Sequence, residues 1–183
     1  MNNQFNHVML DLETMGKGEN AVITAICATA FDITTGKRDR IFYEKIDIQS
    51  CLKLGMEVDG STIYWWLFQD EAARKELLYN TKTIEVAIAR LSEWMGYIAE
   101  FQIWGNGASF DLPKLKNAFV KCGYNVPWNY YNERDMRTMV MLRPEVKERM
   151  PFMGTKHNAK ADCRFQIDVV SEIYSLINPA PTA

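Results

Sequence analysis

Asp11 and Glu13 stand two residues apart at the end of the apolar run His7-Val8-Met9-Leu10, so in a strand both project from one face. Carboxylates held side by side repel unless a proton or a cation lies between them. A divalent cation is the commonest reason to keep them so; for this pair alone, a solvated strand end is the alternative. Two further acids can join them. Asp111 follows a short apolar segment ending at Trp104 and opens a stretch containing Pro113, and Asp162 falls in the first turns of a C-terminal amphipathic stretch. Each has a plainer role open to it, as a helix cap or as a complement to a helix dipole. His157 tips the balance. It precedes Asp162 by one short loop, just outside the helix that Asn158 would cap, with Pro151 and Gly154 marking the approach. The other histidine, His7, has no acid of its own and reads as surface.

The chemistry that calls for this set is phosphodiester hydrolysis on two cations about 3.5–4 Å apart. Mg2+ or Mn2+ suits carboxylate oxygens, and a neutral imidazole can take the proton from the attacking water. Serine–histidine chemistry fits less well, since Gly-x-Ser-x-Gly is missing and no serine has a local basic partner. Gly16 and Gly18 complete no phosphate-binding loop.

Positioning these residues requires a sheet with helices. Residues 7–13, 21–31 and 40–46 read as strands, the second a small and β-branched run suited to a central position, with the turn at residues 32–37 making the pairing antiparallel. From Ser61 the pattern turns helical. Ser61 or Asp59 caps residues 62–68, Asp70 and Glu71 lead into 72–79, and Thr83 caps a helix carrying Ile84, Ala87, Ile88, Leu91 and Met95. A strand at 101–104 precedes a helix that starts near Pro113 and ends before Gly123. A brief strand at Tyr130-Tyr131, a helix over 135–142 and a last helix over 159–177, with Gln166 on its apolar face, complete the pattern. Strands first, then strands interleaved with helices, predict an α/β fold with a mixed sheet flanked by helices. The crevice of such a sheet lies at strand ends, where Asp11 and Glu13 fall.

The 183 residues, 48% apolar and 24% charged, suit a single domain over 1–183 with a substantial core. A net charge of −2 argues against coating nucleic acid by bulk electrostatics, but allows a cleft that grips a few phosphates. No apolar run reaches bilayer length, no secretory signal pattern opens the chain, and Cys27, Cys51, Cys122 and Cys163 are scattered. Reduced thiols, a cytoplasmic setting and no membrane partner are the expectation.

Asp11-x-Glu13-Thr14, a middle Asp111 and His157-x-Ala159-x-x-Asp162, in that order, resemble the DEDDh 3′-to-5′ exonucleases, which include proofreading subunits, ribonuclease T and oligoribonuclease. Asp11-Leu12-Glu13-Thr14-Met15-Gly16, Ile63-Tyr64-Trp65-Trp66-Leu67, Trp104-Gly105-Asn106-Gly107 and Asp135-Met136-Arg137-Thr138 are closer still to the ribonuclease T-like 3′-exonucleases of phages and prophages, labelled exodeoxyribonuclease VIII-like or 3′-exoribonuclease-like. The resemblance implies a ribonuclease H-like fold, a two-ion site with Asp11, Glu13, Asp111 and Asp162 as ligands, and His157 as general base. It implies Thr14 and Met15 at the terminal nucleotide, a single-stranded 3′ end as substrate, 5′-mononucleotides as product, and room for a homodimer. Trp104, Asn106 and Phe110 flank the Asp111 loop and are the further candidates for substrate. Trp65-Trp66 reads as core or dimer contact rather than a base platform. Asp135 either supports the site or caps its helix, and Lys114, Arg134, Arg137, Lys156 and Lys160 are candidate phosphate contacts that also suit solvated surface. A catalytically silent nucleic-acid-binding module and a hydrolase of very short oligonucleotides are the rival readings.

Overall fold

The computed structural model describes residues 4–179. An antiparallel meander forms first, from β1 (His7–Thr14), β2 (Ile23–Phe31) and β3 (Arg38–Ile46). Every residue of β2 is buried, as its small and β-branched composition requires between two covered faces. Two short helices follow, α1 (Ile48–Lys53) and α2 (Gly60–Leu67), their first N–H groups bonded by the Asp47 and Asp59 side chains. Then come α3 (Glu71–Glu76), the two-residue β4 (Thr81–Lys82), and α4 (Ile84–Gly96), capped by Thr83. The chain re-enters the sheet as β5 (Gln102–Gly105), leaves through α5 (Ala108–Lys121), returns as β6 (Glu133–Asp135), and finishes with α6 (Met136–Leu142), α7 (Pro144–Arg149) and α8 (Ala159–Ile177).

The sheet order is β4-β3-β2-β1-β5-β6, with β5 parallel to β1 and β6 parallel to β5. This is the expected mixed sheet. Alternation along β1 sends Val8, Leu10 and Leu12 into a core shared with α4 and α5. Met9 goes to the opposite face, into a second core with Cys27, Phe31 and the apolar side of α8. Asp11 and Glu13 share that second face, at the end where β1 stops.

Some boundaries differ from the sequence expectation. Tyr130 and Tyr131 are not a strand but part of a 3-10 turn, Tyr130–Asn132, with both rings exposed; the strand is the next three residues, paired to Ile103–Gly105. α5 starts at Ala108, well before Pro113, which lies inside the helix. The proline, sixth residue of the helix, costs one bond, to the Ser109 carbonyl. The helix expected over 72–79 is shorter, and α1, α7 and β4, each too short to show a period, were not expected at all. His7 is not a surface residue: it is half-buried, and its Nδ1 accepts from the Trp104 indole at 2.9 Å. Burial, with the Arg134 guanidinium as second cause, pushes its pKa down to about 4. Among the described residues no helix is long and apolar enough to cross a membrane.

Candidate active site

At the C-terminal end of β1, Asp11, Glu13 and Asp162 offer carboxylate oxygens that all lie within 4.8 Å of one another. The first two arrive by strand alternation. Asp162 arrives because the Asn158 side chain, accepting from Ala161 N at 3.2 Å, starts α8 where its first turn faces the strand end. Below them α8 presses on the sheet through Cys163, whose thiol points to the Met9 and Cys27 carbonyls, each 3.6 Å away. One turn on, Gln166 donates from Nε2 to Asp11 Oδ1 at 2.6 Å and fixes that carboxylate.

Asp111 stands beside this triad rather than within it. Its Oδ1 accepts from the backbone N–H of Leu12 at 3.3 Å, between the two β1 acids. Gly105 makes the fit possible, because a Cβ there would stand 3.2 Å from Asp111 Oδ2. The same turn needs Gly107, with φ of 94° and the Arg137 guanidinium against it. Asp135 holds this corner from behind. One oxygen accepts from Ala108 N at 2.6 Å and the other caps α6 through Thr138 N at 2.8 Å, so it supports the loop rather than the acids.

Four acids this close cannot all carry charge without a cation. Burial first, then the neighbouring carboxylates of Asp111, Glu13 and Asp162, lift Asp11 well above the usual range. Burial, with Asp162 and Asp111 next, pushes Glu13 up to about 8. Burial raises Asp111 to about 7 against the opposing Leu12 N–H, and raises Asp162 against the opposing charge of His157. Hard oxygen donors at this spacing fit a Mg2+- or Mn2+-like ion, which would displace the protons they otherwise hold.

A stability prediction follows from the sign of these shifts. A carboxyl whose folded pKa lies above its unfolded value binds more protons in the native state, so stability falls as pH rises through the window between them. For Glu13 and Asp111 that window runs from the ordinary carboxylate range up to about 8 and about 7. The metal-free protein is expected to lose on the order of 5–10 °C in Tm between pH 5 and 8.5. Millimolar Mg2+ or Mn2+ should restore more of it at pH 8 than at pH 6. A melting curve in EDTA that is flat or rising over that range contradicts the coupling.

His157 lies at the rim of the acids in a left-handed backbone conformation, φ of 61°, which histidine tolerates better than most residues. Its ring meets the Trp65 ring edge-on, centroids 4.7 Å apart. Trp66, behind, is buried and donates from its indole to Thr14 O at 2.9 Å. The tryptophan pair therefore divides its work: Trp66 is core, as expected, while Trp65 is not. Trp65 lines a cleft of about 490 Å³ with Glu13, Thr14, Phe110, Arg137 and His157.

Of the residues expected at substrate, Thr14 and Phe110 line this cleft, and the Thr14 hydroxyl donates to Gly16 O at 2.9 Å. Asn106 lies beyond the acids, in a smaller cavity with His157 and Asp162. Met15 and Trp104 are not brought to either cavity. Both are buried in the two cores, Met15 because the irregularity between Glu13 and Thr14 breaks the β1 alternation and turns it to the side of Leu10 and Leu12, Trp104 because its indole is bonded to His7. Lys114 is withdrawn as a phosphate contact too: it is buried, donating to the Lys17 and Phe110 carbonyls with its ammonium 3.3 Å from the Phe110 ring centre. Arg134 is spent on the Tyr131 and Glu133 carbonyls. Sequence reasoning misses Gln166 and gives Trp65, with Trp66, to core or dimer contact. The signal for Gln166 was a polar side chain on the apolar face of α8, one turn after Asp162.

By its likeness to known proteins, the chain is a 3′-5′ exonuclease of the DEDDh superfamily on a ribonuclease H-like fold. The chain belongs to the family described as the 3′-5′ exoribonuclease Rv2179c-like domain, whose profile matches residues 6–174. It is 27% identical over 158 residues to the exodeoxyribonuclease of Enterobacteria phage T4, covering 72% of this chain and 69% of the relative. Its fold is similar to that of E. coli exonuclease I in a complex with single-stranded DNA, with a TM-score of 0.69 at 16% identity over 94% of this chain. The chain spans 41% of the exonuclease I chain. It is also similar to a 3′-exonuclease that recognises the 3′ end of histone mRNA stem-loop, with a TM-score of 0.61 and 8% identity over 94% of this chain and 81% of that one.

Proposed function

We propose that this protein removes nucleotides one at a time from the 3′ end of single-stranded nucleic acid, DNA or RNA, releasing 5′-mononucleotides. The observation that carries the reading is the convergence of Asp11, Glu13 and Asp162 within 4.8 Å, with His157 at their rim. Asp11, Glu13, Asp162 and the adjoining Asp111 are the residues that would hold two divalent ions, Mg2+ or Mn2+. Such ions supply Lewis-acid activation of the phosphodiester and of water.

The chain's own groups do the rest. Gln166 and the Leu12 N–H fix the Asp11 and Asp111 carboxylates so that the acids need not reorganise. The terminal nucleoside occupies the 490 Å³ cleft, whose lining includes Phe110 and Trp65 as aromatic contacts for its base. His157, steadied by Trp65, accepts the proton of the attacking water. A terminal sugar set against Thr14 and Gly16, which line the cleft, would account for action at ends. A homodimer belongs to the same reading, supported by the exposed side chains of Tyr64 and Leu67 on α2 and of Phe68 just past its end.

The test uses 5′-labelled single strands of RNA and DNA of one sequence, with Mg2+ or Mn2+ and with EDTA. Stepwise shortening from the 3′ end of at least one polymer, stopped by EDTA, is expected. Intact strands with every cation, or shortening that persists in EDTA, would overturn the reading.

A further inference from the structure

The acids lie between two cavities, not at the bottom of one. Glu13 lines the larger cleft, whereas Asp162 and Gln166, the residue bonded to Asp11, line a second cavity of about 180 Å³. His157 borders both. A polymer whose terminal nucleoside fills the larger cleft and whose scissile phosphate lies at the acids must continue on the far side of them.

From this geometry we infer that the smaller cavity is a subsite for the nucleotide immediately 5′ of the scissile bond, taking its sugar and phosphate. The inference rests on the exonuclease reading above and says where the rest of the strand goes. The lining suits that ligand. Lys147 and Lys156 are exposed cations at its rim, able to meet a phosphodiester. Phe152 and Phe165, half-buried and 5.3 Å apart between ring centres, offer an apolar wall for a sugar or base edge. The sugar and phosphate would meet the lysines and the floor of the cavity, and the base would lie across the phenylalanine rim. A rival exit exists on the other flank of α8, where Lys160 and Arg164 border a groove over Tyr43 and Ile41. It shares no residue with the acids or with His157, and Lys160 already stands over the Tyr43 ring, 4.2 Å from its centre.

Two substrates separate the subsite from the chemistry. The p-nitrophenyl ester of thymidine 5′-monophosphate carries a terminal nucleoside and a scissile phosphate but no upstream nucleotide; an octanucleotide carries both. In the K147A/K156A variant, and separately in F152A, the ratio of kcat/KM on the octamer to that on the ester is expected to fall ~10-fold, through KM, with a shallower salt dependence in the lysine variant. An equal loss on both substrates, or none on the octamer, overturns the subsite. So does the octamer-specific loss appearing in K160A/R164A instead, which would place the strand in the β3 groove. Wild-type protein inert on both substrates overturns the nuclease reading itself, and the subsite with it.

Discussion

Asp11→Asn is expected to lower the hydrolysis rate at least ~10³-fold while raising the Tm of the metal-free protein at pH 8. The loss follows from removing a charge from the centre of the cation-holding triad, since groups acting as one unit in a metal-assisted displacement cost orders of magnitude when taken singly. The gain follows from the same charge. Asp11 is driven above the usual carboxylate range by burial and by Asp111, Glu13 and Asp162 around it. Asparagine keeps the shape and can still bond Gln166 after an amide flip of either partner. It removes the repulsion, so stability and activity move in opposite directions. Thermal melting in EDTA and a single-turnover assay check both halves. A variant that is inactive and also less stable at pH 8 would mean that Asp11 serves the fold rather than a cation.

His157→Asn is the second large effect, with an expected fall in kcat of ~10²–10⁴-fold and little change in the stabilisation given by Mn2+. Asparagine is chosen because it accepts the left-handed backbone at this position, φ of 61°, about as readily as histidine. An alanine would add strain and confuse the result. Cation-dependent melting separates the roles: a general base leaves it alone, whereas a residue needed to shape the acids would weaken it. Wild-type turnover in the asparagine variant would remove His157 from the proton transfer.

What the sequence disclosed depended on how locally each residue's role is written. Asp11 and Glu13 were legible because strand alternation is local and puts both on one face. Asp162 and His157 were legible because Asn158 announces the start of α8. Asp111 was legible as an acid of the site, but not as the acceptor of the Leu12 N–H, a bond across 99 positions of chain that no local pattern encodes. The substrate candidates divided on the same ground. Trp104 flanks the right loop in sequence, yet its β5 position turns the ring to His7 and the core. Trp65 looked like its buried neighbour, and only the approach of the His157 loop gives it a different use. Short elements such as β4 and α7 carry too few residues for a hydrophobic period, and were invisible until their tertiary partners were in place.

The strand that carries the first two acids is bonded to β2 along its whole length, Asp11 and Glu13 included, and to β5 over His7–Leu10. The backbone of these two acids is thus anchored by the sheet, whereas Asp162 stands in the first turn of a helix and His157 in the loop before it. Protons relieve the crowding of the metal-free cluster, so an arriving cation would exchange with them and find the two strand acids already on one face. Ion capture at this site should therefore shift β1 little and leave the adjustment to the Asp162 turn and the His157 approach loop.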